Sequence, residues 1–137
     1  MNISINFSEI NWISVLVVTL LSFVLGALWH SSKLFGKAWA EDAKPEIDKS
    51  NKSSILKLFG FSAVAHFVGV TALDVFIGTE ATALVGLIKG LIVGIVWVSG
   101  SIAVTHLFVG RSLRLILIDA GFYVVFYAIA GTILGAW

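Results

Sequence analysis

Four stretches of this chain are apolar all round rather than along one face, and the polar residues are gathered between them. The first runs from about 10 to 30 and carries no charge between Ile10 and Trp29; the others cover about 55–77, 83–108 and 114–136. At about 1.5 Å per residue, each is long enough as a helix to cross a hydrocarbon layer of roughly 30 Å. The pattern predicts an all-α membrane protein, a four-transmembrane-helix bundle in which residues 1–137 form a single integral membrane domain. Trp12, Trp29, Trp39 and Trp137 stand near the ends of the apolar runs, where aromatic rings serve as interface anchors. No basic residue precedes the first run, and it ends in bulky Trp29 where a cleavage site needs small residues, so it is expected to be retained rather than removed as a signal peptide.

The links refine this picture. Leu34, Phe35, Ala38 and Trp39 recur at helical spacing beside Lys33, Lys37, Glu41 and Lys44. That pattern predicts a short interfacial amphipathic helix between helices 1 and 2, in place of a plain solvated loop. Pro45 ends it, and the serines of the polar connector Glu46 to Ser54 can cap the next helix. Gly78-Thr79-Glu80 is a tight turn that makes the second and third spans antiparallel neighbours. Small residues mark packing faces: Ser14, Ser22 and Gly26 in the first span, Gly86, Gly90 and Gly94 in the third, Gly131 and Gly135 in the fourth. Such faces let helix backbones approach closely, and a homo-oligomer assembled through the glycine-lined faces is expected.

Composition agrees, with 58% hydrophobic and 12% charged residues. Cysteine is absent, which removes disulfides and thiolate metal sites from consideration. The formal net charge of +1 conceals a strong asymmetry, because Lys33, Lys37, Lys44, Lys49, Lys52 and Lys57 flank one link and Arg111 and Arg114 flank another on the same side. This is a topology signal rather than a nucleic-acid patch. It places loops 31–54 and 109–113 in the cytoplasm and both termini outside.

Ionisable groups within the spans are the candidate chemistry, since each is costly in lipid. His66 lies at the centre of the second span with Ser62 and Gly69 on its face, which suits a proton relay or pore ligand, or else a neutral histidine bonded to a neighbouring helix. Asp74 and Lys89 fall at similar depth on antiparallel neighbours and are expected to pair; if Lys89 instead snorkels to the interface, Asp74 becomes a vestibule carboxylate. Asp119, Tyr123 and Tyr127 form a stripe at four-residue steps. His66, Asp74, Lys89, Asp119, Tyr123 and Tyr127 together are a candidate polar path. His30, His106, Arg111 and Arg114 lie near Asp119 in depth and form a candidate cytoplasmic cluster, either a headgroup, anion or proton site or a neutralising shell for Asp119.

No phosphate loop, zinc motif, paired catalytic carboxylates or nucleophile elbow is present, so no catalytic residue is assigned and an enzyme is not expected. The three histidines sit at different depths, so no metal and no cofactor is expected either.

Gly26-x-x-Trp29, the following ring and serine, and Leu34-Phe35-Gly36-Lys37-Ala38-Trp39, with Asn11-Trp12 ahead of them, resemble a family of small bacterial integral membrane proteins known as domain of unknown function 1761. The glycine-bearing third span, the step from Asp119 to Tyr123 and the end from Gly131 to Trp137 match more weakly. Here His30 and Ser32 stand where members more often carry tyrosine and proline. The resemblance implies four spans in a bacterial inner membrane and no established activity. On the residues, the lipid bilayer is the first partner and the expected role is transport or channel-like, for protons or small ions. The alternative is a non-transporting scaffold or accessory subunit that binds a partner or anionic lipid through the basic 33–57 segment. An embedded enzyme acting on lipid comes third, resting on Asp119, His106 and Arg114.

Overall fold

A computed structural model of the chain describes residues 5–137. After a single 3-10 turn at Phe7–Glu9 come α1 (Trp12–Trp29), α2 (Gly36–Ala43), α3 (Lys52–Ile77), α4 (Ala83–Phe108) and α5 (Leu113–Ala136). The described residues contain no strand. The four helices α1, α3, α4 and α5 are each long and apolar enough to cross a membrane, and the chain is a multi-pass membrane protein.

The helix starts follow from local side-chain chemistry. Asn11, Asn51, Thr82 and Ser112 each accept a backbone N–H from the first turn of the helix they precede. Ahead of α3 the cap is therefore Asn51, accepting from the N–H groups of Ser53 and Ser54, and not one of the connector serines. The interfacial helix is shorter than its apolar spacing suggested. Phe35 donates its N–H back to Trp29 O at 3.0 Å and Gly36 to Ser31 O at 2.9 Å, which turns the chain through Ser31 to Phe35 before α2 can begin. A Cβ at Gly36 would lie 2.2 Å from the His30 carbonyl oxygen, so only glycine fits this turn. At its far end α2 stops at Ala43, with Lys44 in the left-handed region at φ 47° and Pro45 beyond it.

α5 is the central helix and touches all three other spans. Its Phe122, Phe126, Ala130 and Leu134 meet Val15 and Val18 of α1 and Val70, Leu73 and Ile77 of α3 in one small core. The outer faces are just as apolar: Leu20 is 67% exposed and Phe61 76%. In water such surfaces would drive aggregation, whereas in lipid they are the natural outside.

The glycine faces meet each other inside the chain. A Cβ on Gly90 would stand 2.1 Å from Tyr127 O, and one on Gly131 would stand 2.2 Å from Gly86 O. α4 and α5 therefore touch backbone to backbone along Gly86, Gly90, Gly131 and Gly135, with Gly94 close to the Tyr123 carbonyl. This corrects the expectation that these faces join separate copies: they are already covered by one another. Midway along α4, residues Val93–Ser99 wind as π-helix, and Ser99 Oγ donates to Gly94 O at 2.6 Å and reaches Ala120 O at 3.3 Å. That hydroxyl lies between carbonyls of both helices and so ties α4 to α5.

Candidate functional site

The α5 stripe of Asp119, Tyr123 and Tyr127 organises the polar residues of the bundle. Nearest the lysine-bearing links, Asp119 accepts two hydrogen bonds: Trp39 Nε1 donates to Oδ1 at 3.0 Å and His106 Nε2 to Oδ2 at 2.8 Å. A carboxylate at this depth needs donors on both oxygens, and α2 and α4 supply one each. His30 packs edge-on against the Trp39 ring at 5.2 Å and directs Nδ1 to Gly26 O at 3.0 Å. Trp29, expected as an interface anchor, turns inward as well, donating Nε1 to Ile118 O at 3.1 Å. Trp12 stacks on Phe67, and Trp137 is exposed at the chain end.

The two arginines expected beside these groups are elsewhere. Arg114 Nε donates to Asp42 Oδ2 at 2.9 Å and Nη2 to Glu41 Oε2 at 3.1 Å, with a second bond from Nη2 to Asp42. Ser112 Oγ also donates to Asp42, and Arg111 reaches the Asp42 carbonyl. The Arg114 guanidinium, then the Ser112 hydroxyl, hold the Asp42 carboxyl well below the usual carboxylate range. The expected four-residue cluster thus separates in two. His30 and His106 belong to the Trp39–Asp119 group, while Arg111 and Arg114 pin the acidic end of α2 to the start of α5.

One step deeper, His66 of α3 faces α5. Its Nδ1 donates to Ser62 O at 2.9 Å, and its ring stacks on Tyr123 at 6.5 Å and meets Phe126 edge-on at 5.6 Å. Nε2 is buried and, among the described residues, has no hydrogen-bond partner. Here α3 and α4 stand apart over a groove of about 460 Å³, walled by Trp97 and Ser101 and floored by His66, Tyr123 and Tyr127. Past the groove the helices close again where Phe76 packs on Trp97 at 5.6 Å. Beyond that pair Lys89 donates to Phe76 O at 3.0 Å and Ile77 O at 2.8 Å, with its ammonium 5.4 Å from the centre of the Phe76 ring.

Lys89 therefore caps the end of α3 and does not pair with Asp74, which corrects the expected ion pair. A chain carbonyl at the end of a helix is a strong acceptor for a cation, and two of them satisfy the ammonium without a carboxylate. Asp74 faces the other side of α3, in a second cavity of about 550 Å³ that includes Glu9, Asn11 and Trp137 and has no groove residue in its lining. Asp74 is thus separated from the rest of the candidate path. Among the described residues, no three His, Asp or Glu side chains gather as a metal site.

A family model described as a protein of unknown function, DUF1761, matches residues 13–135. The chain belongs to the DUF1761 family. No curated protein and no solved structure matches it. The DUF1761 match takes in the turn from Gly26 to Trp39, His66, the Asp119 stripe and both glycine faces, and leaves Trp12 and Trp137 outside.

Sequence reasoning missed several members of this DUF1761 site. Asp42 was legible as an acid within an amphipathic helix, but nothing local pointed it at Arg114. Trp39 was read as an anchor, although an indole N–H two residues before an acidic pair is also a donor in search of an acceptor. The Phe76–Trp97 closure and the π segment left no periodic signal at all.

Proposed function

We propose that this DUF1761 protein has a transport or channel-like role, carrying protons or small ions along the seam between α3 and α4, and that it is not an enzyme. The observation that carries the reading is the alignment of five of the six path candidates on that seam. Asp119, Tyr123, His66, Tyr127 and Lys89 succeed one another from the lysine-rich face to the opposite one, the stripe lying on α5 and the others packing over it. Imidazole changes charge near neutral pH, and carboxylates and phenols serve beside it as positioned proton acceptors and donors. Phe76 and Trp97 narrow the seam between Tyr127 and Lys89, so passage requires that aromatic pair to part. By the lysine and arginine rule the Asp119 end is cytoplasmic and the Lys89 end external, in a bacterial inner membrane with both termini outside. Because the glycine faces are covered within one chain, a homo-oligomer would assemble through other surfaces, such as the exposed apolar faces of α1 and α3.

Proteoliposomes holding the wild type and the His66→Ala, Asp119→Asn double variant test this. Proton flux under an imposed pH gradient is expected in the first and should fall by at least about tenfold in the second. Equal flux in both removes the reading.

A second reading has its own support. Because Asp42 is engaged by Arg114, the exposed charge left around α2 is mostly Lys33, Lys37, Lys44 and Lys49, a surface suited to a partner or anionic lipid as a scaffold would use it. A detergent pull-down in which the Lys33→Gln, Lys37→Gln variant recovers the same set of proteins as the wild type would leave that reading without support.

A further inference from the structure

α4 carries two packing faces that are one residue out of step. In an unbroken α-helix, the face that begins with Gly86, Gly90 and Gly94 continues through Ser101 and Thr105 at heptad and four-residue steps. All five residues are small, as a face pressed against a neighbouring helix requires. The structure nevertheless turns Ser101 and Thr105 away from α5. Both are exposed, and their hydroxyls donate to their own helix, at Trp97 O (2.7 Å) and Ser101 O (2.9 Å). The polar residues that meet α5 beyond Gly94 are instead Ser99, whose Oγ lies 3.3 Å from Ala120 O, and His106, whose Nε2 donates to Asp119 Oδ2 at 2.8 Å.

The π-helical residues Val93–Ser99 make the difference. A π turn takes up one residue more than an α turn, so everything after it lags by one position, about 100° of rotation. Ser101 and Thr105 thereby give way to the next residues, the half-buried Ile102 and His106. Two contacts hold this register: the Ser99 hydroxyl between Gly94 O and Ala120 O, and the bond from His106 to Asp119. The other register has a donor of its own. With α4 wound as α-helix throughout and its glycines in place, Thr105 takes the position beside Asp119 that His106 now holds, and its hydroxyl can donate to the carboxylate. His106 then moves round to where Leu107 now stands, on the exposed side. Asp119 keeps a donor from α4 either way, because residues 105 and 106 both carry one. Gly110, at φ 74°, follows in the link and gives the end of α4 room to turn.

We propose that α4 from the π segment to Phe108 is a one-residue register switch: wound as π-helix it offers His106 to Asp119, and wound as α-helix it offers Thr105. Trp97 lies inside the segment that rewinds, so its packing on Phe76 changes with the register. In the transport reading, that change is the motion that parts the aromatic pair. The switch itself rests on helix register alone and is tested without any flux.

The test uses the full chain labelled with ¹⁵N-histidine in detergent micelles at one fixed pH. Imidazole nitrogens are followed by NMR relaxation dispersion, with His30, bonded to its own helix, as the reference. His106 is expected to exchange within microseconds to milliseconds between a bonded major state and an unbonded minor state of about 1–10%. Thr105→Val keeps the shape and removes the donor, so it should lower the minor population; Ser99→Ala releases the π register and should raise it. Each change should be about two- to tenfold, the worth of one hydrogen bond. A chain lacking Val96 has no residue to spare for the π turn, so it should hold His106 at its bonded resonance with the exchange abolished. No exchange at His106 in the wild type, shifts of the same sign in the two hydroxyl variants, or a deletion that moves His106 off its bonded resonance overturns the proposal.

Discussion

α4 has two neighbours and treats them oppositely. Against α5 it presents Gly86 and Gly90 to Gly131 and Gly135, and the backbones approach so closely that no Cβ fits between them. Against α3 it presents Trp97 and Ser101 to Ala65 and His66, and the two helices stand apart over a groove of about 460 Å³. Between water-soluble helices the hydrophobic effect would tend to close both seams. In lipid, tails are as apolar as the side chains, so contact is gained only where side chains are removed or polar groups bond across. The glycine seam closes for the first reason, and the α3–α4 seam closes past the groove, where Phe76 packs on Trp97 and Lys89 reaches the carbonyls of Phe76 and Ile77.

The sharpest way to break this contrast is to give the closed seam a side chain. Gly90→Ala places a methyl 2.1 Å from a backbone oxygen that cannot rotate away. The expected loss is at the upper end of, or beyond, the about 1–3 kcal/mol typical of overpacked cores, read by thermal or denaturant unfolding in detergent. Unchanged stability would mean that α4 and α5 are not in backbone contact.

A middle-sized effect is expected at the base of the open seam, where α2 is strapped across it. Trp39→Phe keeps a large ring but removes the donor to Asp119 Oδ1, leaving His106 as the only partner of that carboxylate in the described residues. The strap should weaken by about 1.5–3 kcal/mol, the range for a bond to a charged group, and proteolysis within 31–51 should accelerate accordingly. Cleavage at the wild-type rate would contradict the bond.

The smallest effect concerns pH. In the folded chain the Asp42 carboxyl is held below its ordinary value of 3.8, by Arg114 first and Ser112 next. A depressed carboxylate contributes stability that is fully present above the unfolded value and is lost as pH falls through the folded one. The difference in strap stability between wild type and Asp42→Asn should therefore stay flat from about pH 7 to about pH 4 and shrink only below that. A difference that decays near pH 6 would assign the pairing to another group.

The four spans, the interfacial helix and the antiparallel turn at Gly78 were all legible, because each rests on a run of residue types along the chain. So was the Asp119, Tyr123, Tyr127 stripe, which is a matter of helical spacing alone. The partners of those residues were not. Asp119 was weighed against Arg114 or a histidine, and its second donor proved to be Trp39, 80 positions away on a helix whose docking no periodicity encodes. Lys89 was given an acid at its own depth, yet its acceptors are backbone oxygens, which every residue carries and which therefore leave no trace in the residue pattern.

By itself, the order of residues determined that this chain lives in lipid, how many times it crosses and which end of each helix meets the cations, since those depend on transfer free energies summed along the chain. Only the packed bundle decided that the glycines close on one another within a single copy, that Asp74 faces away from the other path candidates, and that one imidazole nitrogen is buried with no partner among the described residues. Those outcomes depend on which faces of separate helices come together, a choice made by contact and geometry between distant segments.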